Sequence, residues 1–204
     1  IDPRRDEIIR HPDLVEKWAE IGLKKVFIGL ESIDDEELRS LNKKCTVEKN
    51  NRAIEILHAN NVDPLGAFVI QPHYTRKHFD DLLKYLDRMR IYYHEFTVLT
   101  PFPGTEFYNQ VKDEVLESDR RLYDLAHSMF PTTIPAAEFY ALLSRLYRRA
   151  QSPVRAMRIR PNVSPFYRMR FLRLIPGILS LFVSARRAYR RYLAAMDERA
   201  VARQ

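Results

Sequence analysis

Lys25-Val-Phe-Ile-Gly-Leu-Glu-Ser32 decides the fold. Residues 25–30 form a short, apolar, β-rich run, the pattern of a strand buried in a parallel sheet rather than of one with a solvated face. Glu31 and Ser32 stand immediately after it. In open α/β sheets and α/β barrels, ligands gather beyond the carboxyl ends of the strands. A carboxylate and a hydroxyl at such a tip can accept hydrogen bonds from ribose hydroxyls or from an ammonium group. The competing role for Glu31 is an ion pair with a neighbouring lysine or a cap on the next helix.

Working outward, the same unit recurs. Upstream, Pro12 to Ile21 reads as a helix, with Pro12 at its first position, Leu14, Val15, Trp18 and Ile21 on one face, and Gly22 as its stop. Downstream, the acids Asp34 to Glu37 suit a helix start, and Thr46 caps a helix from Val47 to Asn60. Val62 to Ile70 is the second strand, and Gly66 inside it points to close approach of backbone or ligand. Thr75 caps a helix to about Arg90. His94 to Leu99 is the third strand, closed by the Pro101-Phe-Pro-Gly104 turn, and Thr105 opens another helix. Strands alternating with helices through short loops predict βα units on a parallel sheet. Three strands leave an edge unpaired, and the chain opens at Ile1 in a charged stretch. Both features read as a piece of a longer protein.

The other strand tips supply the remaining candidates. Gln71, after the second strand, can read a base edge or fix an amide; its plainer role is to stabilise the loop. His73 has no cysteine or carboxylate at ligand spacing. Thr100 opens a proline-fixed turn after the third strand. Arg4-Arg5-Asp6 lies where an earlier strand would end, and an arginine there can hold a carboxylate through a bidentate pair or simply form a surface ion pair. Cys45 lies among lysines that would lower its pKa, yet no partner marks it as a nucleophile.

Composition bounds the rest. The 204 residues are 46% hydrophobic and 30% charged, which is globular. A single cysteine excludes a disulfide framework and any cysteine-built metal or iron–sulfur cluster from this chain alone. No signal-peptide pattern appears, so a reducing cytoplasm is expected. Residues 1–150 carry 22 Lys and Arg against 25 Asp and Glu, a balance of −3, whereas 151–204 carry 12 Arg against Asp197 and Glu198, a balance of +10. Residues 119–150 are aromatic-rich and read as helical, packing on the preceding domain of residues 1–118. In 151–204, arginines interleave with Phe171, Leu174, Ile178, Leu181 and Phe182 around Pro176-Gly177. The apolar core of this extension is too short for a bilayer span, which needs ~20 residues. Three readings stand: nucleic-acid binding, an anionic membrane surface, and a helical hairpin packed on the main domain. Aliphatic density and the lack of a nucleic-acid motif favour the last two.

Taken in order, four stretches resemble the radical S-adenosylmethionine (radical SAM) enzymes, especially those preceded by a cobalamin-binding domain. Lys25 to Ser32 resembles the fourth strand of that family. Arg4-Arg5-Asp6 is similar to the R-x-D ending its third strand, Val62-Asp-Pro-Leu-Gly-Ala-Phe-Val-Ile70 to its fifth strand, and Leu99-Thr-Pro-Phe-Pro-Gly-Thr105 to its sixth and the following turn. Tyr123-Asp-Leu-Ala-His127 and Glu138-Phe139 are similar to its C-terminal region.

The resemblance, over about residues 1–150, implies an α/β fold. This is the C-terminal half of a partial (β/α)6 TIM-like barrel with parallel strands, followed by a helical C-terminal extension. It implies S-adenosylmethionine, a [4Fe-4S] cluster that reduces it to release a 5′-deoxyadenosyl radical, and cobalamin in members that methylate unactivated carbon. By position it puts Glu31 and Ser32 at the ribose or methionine end of the cofactor and Arg4 near its carboxylate. Gly66, Phe68, Gln71 and Thr100 fall around the adenine. The family's CxxxCxxC motif is absent, so the cluster ligands and any cobalamin domain are expected outside this chain, which by itself would be inactive. The basic extension fits a small-molecule or lipid-like substrate drawn from a membrane, as in the lipid-modifying branch such as hopanoid C-3 methylases. It also fits peripheral contact at the inner face of the membrane, with no nucleic acid as partner. Two other classes stand beside this one. The first is a non-catalytic membrane-surface or partner-binding scaffold derived from a half barrel. The second is an α/β-barrel enzyme of phosphate chemistry, which needs a Gly-rich loop that five glycines do not supply.

Overall fold

The computed structural model describes residues 5–41, 45–116, 119, 122–152 and 154–155. The chain divides into two compact units, Ile1–Gln71 with Asp80–Leu99, and Pro72–Phe79 with Thr100–Gln204.

In the first unit, three strands alternate with helices: α1 (Arg5–Arg10), α2 (Pro12–Glu20), β1 (Lys25–Glu31), α3 (Asp35–Ser40), α4 (Val47–Ala59), β2 (Asp63–Ile70), α5 (Arg76–Arg88, whose first turn falls in the second unit) and β3 (Tyr93–Val98). The strands form one parallel sheet in the order β1-β2-β3. This is the βα architecture of a partial TIM-like barrel, as the sequence predicts.

The same local chemistry makes each unit. Asp34 Oδ1 accepts from the N–H groups of Glu36 (2.7 Å) and Glu37 (3.2 Å) at the start of α3, and Thr46 Oγ1 from Lys49 N–H (3.3 Å) at the start of α4. Three helices leave for their strands by one device. Gly22, Asn61 and Arg90 adopt positive φ (109°, 56° and 52°). The N–H of each next residue then turns back to a carbonyl five residues earlier: Leu23 to Trp18 (2.8 Å), Val62 to Leu57 (2.9 Å) and Ile91 to Leu86 (2.9 Å). This is the helix-ending motif in which a left-handed residue satisfies late carbonyls.

The sheet divides its two faces sharply. Val26, Ile28 and Leu30 of β1, Pro64, Gly66, Phe68 and Ile70 of β2, and Phe96 and Val98 of β3 are buried. Phe68 lies against Tyr85 of α5 (ring centroids 6.2 Å) and Phe96 (6.0 Å). Leu38, Ile54, Leu57, Leu86 and Ile91 are also buried. Burying each such side chain contributes about 1.5–3 kcal/mol of transfer free energy. The alternate residues Phe27, Gly29, Leu65, Ala67, Val69 and Thr97 are part-exposed and form the open face.

In the second unit, Gly104 at φ 90° turns the chain. Thr105 Oγ1 accepts from Tyr108 N–H (3.1 Å) to cap α6 (Glu106–Val111). α7 (Ala136–Ala150) buries Phe139, Leu142, Leu143 and Leu146, and Phe79 meets Phe139 edge-on at 5.6 Å.

Two expectations are corrected. Residues 5 and 6 begin helix α1 rather than end a strand. Among the described residues of 119–150 the α-helix is confined to α7, because Pro131 and Pro135 break the backbone before it, and those ahead of it form turns. The extension is described only at residues 151, 152, 154 and 155, so the amphipathic reading of 156–204 lies outside the described residues.

Gly66 is explained by this packing. A Cβ there would lie 2.8 Å from Leu30 Cδ1, 3.2 Å from Phe68 Cε2 and 3.4 Å from Ile91 Cγ2, all core atoms. Gly66→Ala is therefore expected to lower the unfolding free energy by about 1 kcal/mol, since overpacking outweighs the entropy gained by replacing glycine. Urea unfolding measures this; equal or greater stability contradicts it.

Candidate functional site

The site builds outward from the end of β1. The pairing runs Gly29 opposite Ala67, then Glu31 opposite Phe68, so the ladder slips by one residue between Gly29 and Glu31. This is a β-bulge, a device that re-aims side chains at strand ends and beside active sites. Glu31 itself has φ 65°. A non-glycine residue in the left-handed region costs of order 1–3 kcal/mol and persists where its surroundings hold it. Ser32 N–H donates to Leu30 O (2.8 Å), closing a three-residue turn around Glu31.

The result is a carboxylate turned back over glycine. A Cβ on Gly29 would lie 2.8 Å from Glu31 Oε1. Leu30, between them, is fully buried. The turn thus sends Leu30 into the helix-packed core and the Glu31 carboxylate to the open face.

The other sequence-derived residues separate into groups. Ser32 is 2% exposed; its hydroxyl donates to the Glu37 carboxylate and accepts from Asp34 N–H (3.0 Å). Its donor is engaged at the start of α3. Gly66 and Phe68 lie on the buried face, opposite the side that Glu31 faces. A strand's alternation gives them to the side that the helices cover. Gln71 directly follows β2 and is 6% exposed. Thr100 is buried and belongs to the second unit, two residues after the end of β3. Arg4 lies outside the described residues.

Two residues that the sequence reading passed over help to form the bulge. Gly29 leaves room for the carboxylate. Asn50, wholly buried in α4, donates from Nδ2 to Leu30 O (3.0 Å) and accepts at Oδ1 from Arg5 Nη1 (2.6 Å). A glycine inside a strand signals a bulge or close approach, so Gly29 was detectable. Asn50 acts on a residue twenty positions away and gives no local signal.

Cys45 is buried, with Sγ 3.3 Å from Thr46 O and 3.3 Å from Asn50 Oδ1. Burial raises its pKa, and the lowering by Arg5 and Lys49 does not offset this. The lowering expected from neighbouring cations is corrected, and the thiol is a passive one. Among the described residues no three His, Cys, Asp or Glu side chains gather to hold a metal ion. With one cysteine in the chain, these residues do not fit an iron–sulfur cluster.

In the second unit, Asp124 Oδ1 accepts from the N–H groups of Ala126 (2.9 Å) and His127 (3.0 Å), and its carboxylate meets His127 Nδ1 at 2.8 Å. Burial would raise the Asp124 carboxyl, but the hydrogen bonds from His127 and from these amides hold it below its ordinary value.

Residues 2–86 match the family model described as the Radical SAM superfamily. Over 143 residues the chain is 27% identical to the hopanoid C-3 methylase of Methylococcus capsulatus, covering 70% of this chain and 28% of that protein. It is 31% identical over 124 residues to the bacteriochlorophyllide d C-12(1)-methyltransferase of Chlorobaculum tepidum, covering 60% and 27%. Over 151 residues it is 24% identical to the anaerobic magnesium-protoporphyrin IX monomethyl ester cyclase of Rubrivivax gelatinosus, covering 73% and 27%. The chain spans about a quarter of the length of these relatives.

A carboxyl with a depressed folded-state pKa stabilises the fold above its unfolded pKa, and that stability is lost as pH falls through the folded value. Asp124→Asn is thus expected to lower stability at pH 7, with the difference from wild type vanishing well below pH 4, where both side chains are uncharged. Thermal unfolding at pH 7 and pH 3 tests it; a difference that persists undiminished at pH 3 contradicts the assignment.

Proposed function

We propose, taking the chain as the radical SAM superfamily member that residues 2–86 make it, that it belongs to a methylating enzyme and binds S-adenosylmethionine at the carboxyl ends of its strands. The superfamily's cofactors are S-adenosylmethionine and a [4Fe-4S] cluster. The observation that carries the reading is the Glu31 carboxylate, held in a bulge and turned over Gly29 onto the open face.

A carboxylate there accepts from the ribose hydroxyls or the ammonium group of S-adenosylmethionine, each an ion-assisted hydrogen bond. Ala67 and Val69, on the same face of β2, offer the adenine an apolar surface. Gln71, directly after β2, has an amide that can both donate to and accept from a base edge. Thr100 and Arg4 remain proposed neighbours of the adenine and of the cofactor's carboxylate. The cluster's thiolates come from outside the described residues. S-adenosylmethionine bound to the cluster supplies radical chemistry; the described residues bind and orient it.

Relatives named as methylase and methyltransferase support methyl transfer, and the hopanoid-modifying relative supports a lipid-like substrate. Cobalamin as methyl carrier follows from the resemblance to the cobalamin-domain class. Among the described residues no helix is long and apolar enough to cross a membrane. Peripheral contact through the basic residues of 151–204 is the route we propose to such a substrate.

Two outcomes follow. Losing one ion-assisted hydrogen bond costs about 1.5–3 kcal/mol, so Glu31→Ala is expected to weaken S-adenosylmethionine binding by the intact protein about tenfold or more, with little change in melting temperature. Calorimetric titration reads this, and unchanged affinity removes Glu31 from the site. The intact protein is also expected to sediment with anionic vesicles, less so as salt rises, and deletion of 156–204 should abolish this. Equal binding to neutral vesicles contradicts the electrostatic part.

A further inference from the structure

The bulge that presents Glu31 is held from two sides. Asn50 is wholly buried, and its amide orientation is fixed by chemistry. Arg5 carries donors only, so the Asn50 atom 2.6 Å from Arg5 Nη1 is the oxygen; the atom 3.0 Å from Leu30 O is then the nitrogen donor. The Leu30 carbonyl thus receives two donors, Asn50 Nδ2 and Ser32 N–H (2.8 Å). That carbonyl lies in the peptide joining Leu30 to Glu31, so fixing it fixes the plane about which Glu31 adopts φ 65°. On the other side, Gly29 leaves vacant the space that Glu31 Oε1 fills, 2.8 Å from where a Cβ would stand.

We propose that Asn50 and Gly29 are positioning residues for Glu31: Asn50 locks the turn through the Leu30 carbonyl, and Gly29 gives the carboxylate its seat on the open face. The inference rests on the reading of Glu31 as a ligand of S-adenosylmethionine. Asn50 also accepts weakly from Cys45 Sγ (3.3 Å). Arg5, Cys45 and Leu30 come from three different segments, so one side chain ties the start of the chain and α4 to the tip of β1.

Asn50→Asp separates this role from general packing. It keeps the size and the acceptor that faces Arg5, and removes the donor to Leu30 O. The measurements are calorimetric titration of S-adenosylmethionine into the intact protein and hydrogen exchange of the peptide spanning residues 28–34. Asn50→Asp and Gly29→Ala are each expected to weaken binding about tenfold or more, and Asn50→Asp to speed exchange in that peptide while leaving the β2–β3 ladder unchanged. In the Glu31→Ala background neither change should weaken binding further, because each acts through the carboxylate.

Equal fold losses with and without Glu31 would overturn the proposal, as would unchanged affinity and exchange in the single variants. Should Glu31→Ala itself leave affinity intact, the ligand reading falls. Exchange at 28–34 then decides the Asn50 lock by itself, with faster exchange upholding it and unchanged exchange overturning it. Should Asn50→Asp fail to fold, Gly29→Ala decides, since relief of its defect by Glu31→Ala is an outcome that a merely structural glycine does not produce.

Discussion

Leu30 packed over Gly66 is the contact on which the end of β1 depends. The glycine leaves the space that Leu30 Cδ1 fills, and Leu30 is then wholly withdrawn from solvent. The turn around Glu31 follows directly after this buried residue. The peptide that follows is gripped by Asn50 Nδ2 and Ser32 N–H, and Glu31 is driven into the left-handed region with its carboxylate over Gly29. A hydrophobic contact on one face of the sheet thereby sets the position of a charge on the other.

That arrangement explains how a small parallel sheet can be both stable and receptive. The buried face carries the branched and aromatic side chains that the helices cover, and so accounts for the cohesion of the first unit. The open face carries smaller or polar residues near the strand tips, and there the bulge adds a carboxylate held at some cost in backbone strain. Strain of this kind is tolerated where surrounding bonds over-determine it. Here the bonds come from α4, from α1 through Arg5, and from the turn itself. Rigid presentation matters for an anionic acceptor, because a ligand's hydroxyls or ammonium group then meet it without paying to order it.

Much of this was legible in the sequence. The three apolar runs, the helix starts at Asp34, Thr46 and Thr105, and the stop at Gly22 each carry a local signal, and the strands begin within one residue of their expected places. The place of Glu31 at the end of the first strand was legible from the apolar run before it. A glycine in a strand announces close approach but does not say what approaches, and at Gly66 the near atoms are those of Leu30, Phe68 and Ile91. The engagement of the Ser32 hydroxyl with Glu37 and the Asp34 amide depends on the start of the next helix and carries no signal at the strand tip itself. The helix at Arg5–Arg10 was hidden by the pull of a strand-end pattern. Asn50 was invisible, since its partners Leu30 and Arg5 lie twenty and forty-five positions away.

Hydrogen exchange of the intact protein with and without S-adenosylmethionine tests the central claim most directly. The account predicts that the ligand slows exchange at the end of β1, over residues 31–34, and around Gln71, while the helix-covered core is little altered. Protection confined to other segments, with those two strand tips unaffected, would contradict it.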